Sequence, residues 1–147
     1  MAIEPPPSPL LPSNALSASL SRALAARDQA VAIMVSSAHC PWCGLVIQEQ
    51  LIPRIRAKTG PRLEVVVFDL SDTTPVRLAV PSGPALRLSP QAWAQAHRYR
   101  VAPTLVMVGS AAQPLFGPLV GYSSRDFYGA YLDDQVERAQ RYWSQHA

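Results

Sequence analysis

Apolar residues along this chain fall into strand-like runs that alternate with helix-like stripes. Residues 30–36 (Ala-Val-Ala-Ile-Met-Val-Ser) are apolar almost throughout, the pattern of a central strand buried on both faces. Residues 63–70 (Leu-Glu-Val-Val-Val-Phe-Asp-Leu) and 101–109 give two more strands, the latter with Pro103 at its entrance. A turn over residues 109–113 leads to a last strand at 115–120, so these two pair as a hairpin, and Pro114 and Pro118 place the last strand on the sheet edge. Between the strands lie helical patterns. Asn14 caps a first helix with Leu16, Leu20 and Leu24 on one stripe, ended by Arg27 and Asp28. A second begins at Pro41 and buries Leu45, Val46, Ile47, Leu51, Ile52 and Ile55; Pro53 kinks it near Glu49 and Gly60-Pro61 stops it. Ser89-Pro90 opens a third, with Trp93, Ala96 and Tyr99 (or His97) along one side. Ser123 with Asp126 forms a capping-box-like start to the last, which turns Phe127, Tyr128, Tyr131, Leu132, Val136 and Trp143 inward.

The first two strands, joined through a helix, form a βαβ unit, so they run parallel with a right-handed crossover. Residues 1–13 carry five prolines after the initial Met-Ala-Ile-Glu and no periodicity, and read as a flexible tail ahead of one domain over residues 14–147. Residues 71–88 are rich in Pro, Ser, Thr and Gly; without a period they read as a surface excursion or a functional loop. A chain of 147 residues with 48% hydrophobic and 16% charged residues has enough apolar material for one real core. The net charge of +3 comes from dispersed arginines, with Lys58 the single lysine, so no basic run points to nucleic acid. No apolar stretch approaches the roughly 20 residues of a membrane span. The N-terminus lacks the charge and apolar core of a secretory leader; a cytoplasmic chain and an exported one whose leader is absent both fit.

The candidate chemistry lies in the only two cysteines, in His39-Cys40-Pro41-Trp42-Cys43-Gly44, between a strand and a helix. A bridge across three residues closes too short a loop to staple the fold, and its value is that it opens and closes. Cys40 falls at a helix start, where free N–H groups and the helix dipole favour a thiolate. Cys40 is therefore the expected nucleophile and Cys43, one turn inward, the resolving thiol. Pro41 sets the helix start, Trp42 is an exposed apolar platform, and His39 is a candidate to favour the thiolate electrostatically. His97 reads as structural or solvated, and His146 as a tail residue. Two cysteines supply half of a tetrahedral metal site, so no metal is expected, although a cluster bridged between two chains is a competing possibility. Gly44 in place of histidine argues against covalent haem.

Cys40-Pro41-Trp42-Cys43, Ala102-Pro103-Thr104, and Gly121-Tyr122 before the last helix together resemble the thioredoxin superfamily, over roughly residues 14–143. The resemblance implies an α/β thioredoxin fold: a central mixed four-stranded sheet flanked by helices, here with an extra N-terminal helix. It implies a cis-proline at Pro103 facing the disulfide. It also implies that Val101, Ala102 and Thr104 offer backbone to an extended substrate, with Gly121 and Tyr122 lining the other side. Within the superfamily the chain is most similar to bacterial periplasmic thioredoxins of the SoxW/SoxS type, on the His39-Cys40 pair, Ser89-Pro90-Gln91-Ala92-Trp93 and Tyr99-Arg100-Val101. It departs from thioredoxins proper in the Pro-Trp dipeptide, and in Met34 and, approximately, Val67 where those proteins hold a buried aspartate and a lysine.

The expectation is a monomeric thiol–disulfide oxidoreductase, periplasmic or alternatively cytoplasmic. It needs no cofactor beyond the Cys40–Cys43 disulfide, and passes electrons from an upstream thiol donor to protein disulfides or persulfide adducts. A disulfide oxidant or isomerase of the same fold is the first alternative. A non-catalytic module, with a peptide groove or a bridged iron–sulfur cluster, is the second.

Overall fold

The computed structural model describes residues 9–79 and 83–146. After a 3₁₀ turn at Ser13–Ala15, the elements are α1 (Leu16–Ala26), β1 (Gln29–Ser36), α2 (Pro41–Val46), a π-helical turn (Ile47–Leu51), α3 (Ile52–Ile55) and β2 (Arg62–Asp69). There follow β3 (Val76–Leu78), β4 (Leu86–Leu88), α4 (Pro90–Ala96), β5 (Thr104–Met107), β6 (Leu119–Val120) and α5 (Arg125–His146). The main sheet has the order β2-β1-β5-β6. β1 and β2 are parallel, while β5 is antiparallel to β1 and β6 is antiparallel to β5.

β1 is central because its side chains are apolar on both faces. Val31, Ile33 and Val35 pack with Leu16, Leu20 and Ala23 of α1, Phe68 of β2 and Trp93 and Ala94 of α4. Ala30, Ala32 and Met34 face the other layer, with Cys43, Val46 and Leu51 of the second helical stretch and Tyr128, Leu132, Val136 and Ala139 of α5. The sheet is thus sandwiched between two helical layers. Trp93 pins α4 by donating Nε1–H to the Ala112 carbonyl at 3.0 Å while standing edge-on to Phe68.

Several expectations are corrected by packing. The inward stripe of α1 is Leu16, Ser19, Leu20 and Ala23, and Leu24 is exposed. No side chain caps that helix: a 3₁₀ turn precedes it, so Asn14 is not its N-cap. Pro53 does not simply kink the second helix. Without its N–H the turn ahead widens, and the Ile52 N–H reaches the Ile47 carbonyl five residues back. Leu45 is exposed, while Val46 and Leu51 are buried. In α4 the buried residues are Pro90, Trp93 and Ala94, with Ala96 exposed. The last strand is shorter than expected: Val108 bridges Pro114, and β6 proper is only Leu119–Val120. The last helix is capped by Ser124, whose Oγ accepts from the Phe127 N–H at 3.4 Å, rather than by Ser123. Its buried stripe is Tyr128, Leu132, Val136, Ala139 and Trp143; Phe127 and Tyr131 point outward.

The segment over residues 71–88 is not structureless. Val76–Leu78 and Leu86–Leu88 pair as an antiparallel ribbon, with Val76 and Leu78 buried in the α1 layer. Residues 80–82, and residues 1–8 of the expected tail, lie outside the described residues, as does the His146 side chain. The tail does not stay free up to residue 13. The Leu11 N–H donates to Val65 O at 2.8 Å and Leu11 O accepts from the Val67 N–H at 2.9 Å, which adds a short parallel bridge to the outer edge of β2.

Glu64 ties α1 to the sheet. It accepts from Arg22 Nη2 at 2.7 Å, Arg22 Nε at 3.0 Å, Ser19 Oγ at 2.8 Å and Gln29 Nε2 at 3.1 Å. Burial raises the Glu64 carboxyl, but these hydrogen bonds and the Arg22 charge outweigh it and hold the group below its ordinary value. A depressed folded-state value stabilises the fold above the unfolded carboxyl pKa of about 4.3, and that contribution is lost as pH falls through the lower folded value. Because Arg22 is half exposed, the contribution is modest. Glu64→Gln should cost about 1 kcal/mol in urea denaturation at neutral pH, and the difference should shrink as pH falls below the unfolded carboxyl pKa of about 4.3 and through the lower folded value.

Candidate functional site

Three segments meet at one end of the sheet. β1 ends at Ser36 and the chain passes through His39, which has a positive φ of 57°, into Cys40. Val35 pairs with Thr104, so the 101–104 turn enters the sheet where β1 leaves it. The Gly121 N–H donates to Pro103 O at 2.8 Å, which brings the end of β6 to the same place. The Ala102–Pro103 peptide bond is cis. Thr104, fully buried, donates Oγ1–H to Val101 O at 2.7 Å and closes the turn around Pro103. Gly121 has φ of 70° and open space where a Cβ would stand, so its backbone conformation, not crowding, is what selects glycine.

Cys40 and Cys43 are disulfide-bonded, with Cα atoms 5.3 Å apart. Cys40 is the N-cap of α2: its backbone is extended, Pro41 follows in the first turn, and Cys40 Sγ accepts from the Cys43 N–H at 3.1 Å. A thiolate at Cys40 would therefore sit at the positive end of a helix with an N–H aimed at it. The two sulfurs are not equivalent. Cys40 is half-buried at the surface, whereas Cys43 is 4% exposed and packed in the apolar layer beneath. An incoming reactant meets Cys40 first. Trp42, between them, is 56% exposed, and Pro41 and His39 are exposed beside it.

Met34 and Val67 are in direct register across β1 and β2. Met34 is wholly buried in the same apolar layer as Cys43, and Val67 packs at its margin. The pair that would be acidic and basic in a thioredoxin is here a hydrophobic couple. Among the described residues, no three His, Cys, Asp or Glu side chains converge as metal ligands.

A polar network that sequence reasoning missed braces this pole. Tyr122 Oη donates to Glu49 Oε1 at 2.9 Å and accepts from Gln50 Nε2 at 3.0 Å. Arg125 pairs with Glu49 at 2.7 Å, and Gln50 Nε2 also donates to Arg125 O at 3.2 Å. Arg54 donates to Gln50 Oε1 at 2.8 Å and to Asp133 at 2.8 Å. The π turn after the cysteine helix is thereby fastened to the start of α5. Tyr128 stands edge-on to Tyr122, and burial, with Tyr122 nearby, pushes its phenol well above the ordinary value. Beside this brace, Val120, Phe127 (70% exposed), Tyr131 (62% exposed) and Leu119 line an open groove of about 360 Å³.

No protein-family model and no curated protein matches the chain. Solved structures do. A thioredoxin-fold protein from Helicobacter pylori superposes with a TM-score of 0.52 at 15% identity, covering 82% of this chain and 87% of that one. The fold is a thioredoxin fold. The oxidised C-terminal domain of DsbD from Neisseria meningitidis gives a TM-score of 0.53 at 18% identity over 85% of this chain and 97% of its own. Oxidised thioredoxin O2 from Arabidopsis thaliana gives 0.51 at 12% identity over 88% and 96%. The mixed four-stranded sheet, its flanking helices and the leading helix α1 all belong to this architecture as it stands here.

Gln50 is buried and serves three partners, so its loss leaves polar groups unpaired in the interior. Gln50→Leu, close in volume, should lower stability by about 2 kcal/mol in chemical denaturation. Replacing Gln48, exposed on the same turn, should leave stability within about 0.5 kcal/mol.

Proposed function

We propose that the protein is a thiol–disulfide oxidoreductase that reduces protein disulfides, or persulfide adducts, through Cys40 and Cys43. The observation that carries this reading is the Cys40–Cys43 disulfide at the start of α2, with one sulfur near the surface and hydrogen-bonded to a helix N–H and the other buried. In the reduced protein, the Cys40 thiolate attacks one sulfur of the substrate disulfide. The substrate S–S bond breaks, and its departing thiolate takes a proton from water. Cys43 then attacks Cys40 Sγ, the mixed disulfide breaks, and the second substrate thiol leaves. The protein is left oxidised, and an upstream dithiol donor returns two electrons and two protons. A chain of this kind, related in style to periplasmic thioredoxins of the SoxW/SoxS type, is placed by this reading in the periplasm. No helix among the described residues is long and apolar enough to cross a membrane.

The surroundings support a polypeptide substrate. Trp42, Leu45 and Val101 are exposed apolar side chains around or next to the cysteine turn, and Val120, Phe127 and Tyr131 extend the same character past Gly121. The part-exposed Ala102, beside Pro103 whose carbonyl is already taken by Gly121, is the backbone this reading offers to an extended strand in a β-augmentation mode, and Trp42 supplies a flat apolar anchor. His39, exposed and next to Cys40 in the chain, is this reading's candidate to favour the thiolate electrostatically.

Three measurements test this reading. Cys43→Ser should accumulate mixed disulfides with partner proteins and Cys40→Ser should not; equal trapping by both would reverse the assigned roles. A reduction potential near the thioredoxin value of about −270 mV fits a reductant, and one near about −120 mV would make the protein an oxidant. Because Met34 and Val67 provide no proton acceptor for Cys43, release of the mixed disulfide should depend on free ionisation of that thiol. Its single-turnover rate should then climb roughly tenfold per pH unit from about pH 6 to 8. A rate that is flat over that range would reveal a base elsewhere.

A further inference from the structure

The β3–β4 ribbon carries a charge arrangement that folding alone disfavours. Arg77 and Arg87 are directly opposite each other in its register. Opposed residues in a ribbon share a face, and like charges there repel. The inner face of the ribbon is occupied by Val76 and Leu78, so both arginines stand on the outer face, and both are exposed. Pro75, Ala85, Arg77 and Arg87 together line an open cleft of about 480 Å³. Their spacing of two along each strand puts all four on that face.

Among the described residues no carboxylate answers these charges. The ion pairs among the described residues belong to Arg22, Arg54, Arg125 and Arg138. Neither Arg77 nor Arg87 has a side-chain hydrogen-bond or ion-pair partner among the described residues. Both arginines line the same open cleft, with Pro75 and Ala85 as its apolar wall. A guanidinium presents paired N–H donors that match an oxyanion with two or more acceptor oxygens, and a dianion would neutralise both at once.

We infer that the outer face of the ribbon is a binding site for a free tetrahedral oxyanion of the phosphate or sulfate class, held between Arg77 and Arg87. This goes beyond the redox reading and does not depend on it: the site is on a different segment, and its test uses the oxidised protein with no thiol reactant.

The test is a titration of the oxidised 147-residue chain with sodium phosphate, sodium sulfate and sodium acetate at constant ionic strength, read by arginine side-chain resonances and by thermal midpoint. Phosphate and sulfate should shift the Arg77 and Arg87 signals saturably and raise the midpoint with the logarithm of concentration. Acetate should act more weakly. Arg77→Gln and Arg87→Gln should each weaken binding roughly tenfold or more. Arg87→Glu, which sets opposite charges across the ribbon, should raise the midpoint in anion-free buffer and abolish the phosphate response. The assignment is overturned by a phosphate response that survives loss of both arginines, by no saturable shift in the unmodified chain, or by acetate acting as strongly as phosphate.

Discussion

The cysteine pole hangs from one constraint: β1 has no polar side chain from Ala30 to Val35, so it must be covered on both faces and flanked on both edges. Once β1 is central, β2 lies parallel on one side and β5 antiparallel on the other. The C-terminal end of β1 then coincides with the entrance of β5. The cysteine turn and Pro103 are thereby delivered to one end of the molecule by segments about sixty residues apart in the chain. The chemistry follows from this placement. Cys40 is reachable because it caps a helix at the sheet's end, and Cys43 is protected because the next turn of that helix rests on Met34 and its neighbours.

The brace from Glu49 and Gln50 to Tyr122 and Arg125 has a complementary role. A helix that begins with a bond able to open needs to be held elsewhere. Here the holding point is the π turn that Pro53 forces, one to two turns beyond the cysteines. The proline thus widens the helix at the position where two polar side chains leave it for another element. Breaking the disulfide at Cys40 leaves these fastenings in place, because none of them involves the cysteine turn.

Much of this was readable in the residues, and the failures have physical causes. β1, β2 and the strand after Pro103 were legible because unbroken β-branched runs have few other uses. The cysteine helix was legible from Pro41 and the three-residue spacing. The β3–β4 ribbon was not: its two strands have three residues each, and Val76 and Leu78 are the only fully buried anchors, set among prolines and arginines. Phe127 and Tyr131 were misread as core because they are aromatic and lie four apart. The true stripe runs through Tyr128, Leu132 and Ala139, and hydrophobicity alone cannot separate a buried aromatic from an exposed one. The Glu49–Tyr122 bond joins residues 73 apart and has no local signature at all. Likewise the bridge at Leu11 depends on an outer edge of β2 that only the assembled sheet provides.

That bridge has a consequence for the protein's company. A bare sheet edge is a template for extended backbone seeking hydrogen bonds. On one side Leu11 occupies the Val65 and Val67 backbone. On the other, β6 is two residues long, preceded by Pro118, and the Gly117 carbonyl is taken by Gln135 at 2.9 Å. Each border is thus interrupted, the β2 edge by the Leu11 bridge and the β6 edge by its shortness and Pro118. The flanks are thereby poor templates for edge-to-edge strand addition, whether from another copy of this chain or from any other extended segment.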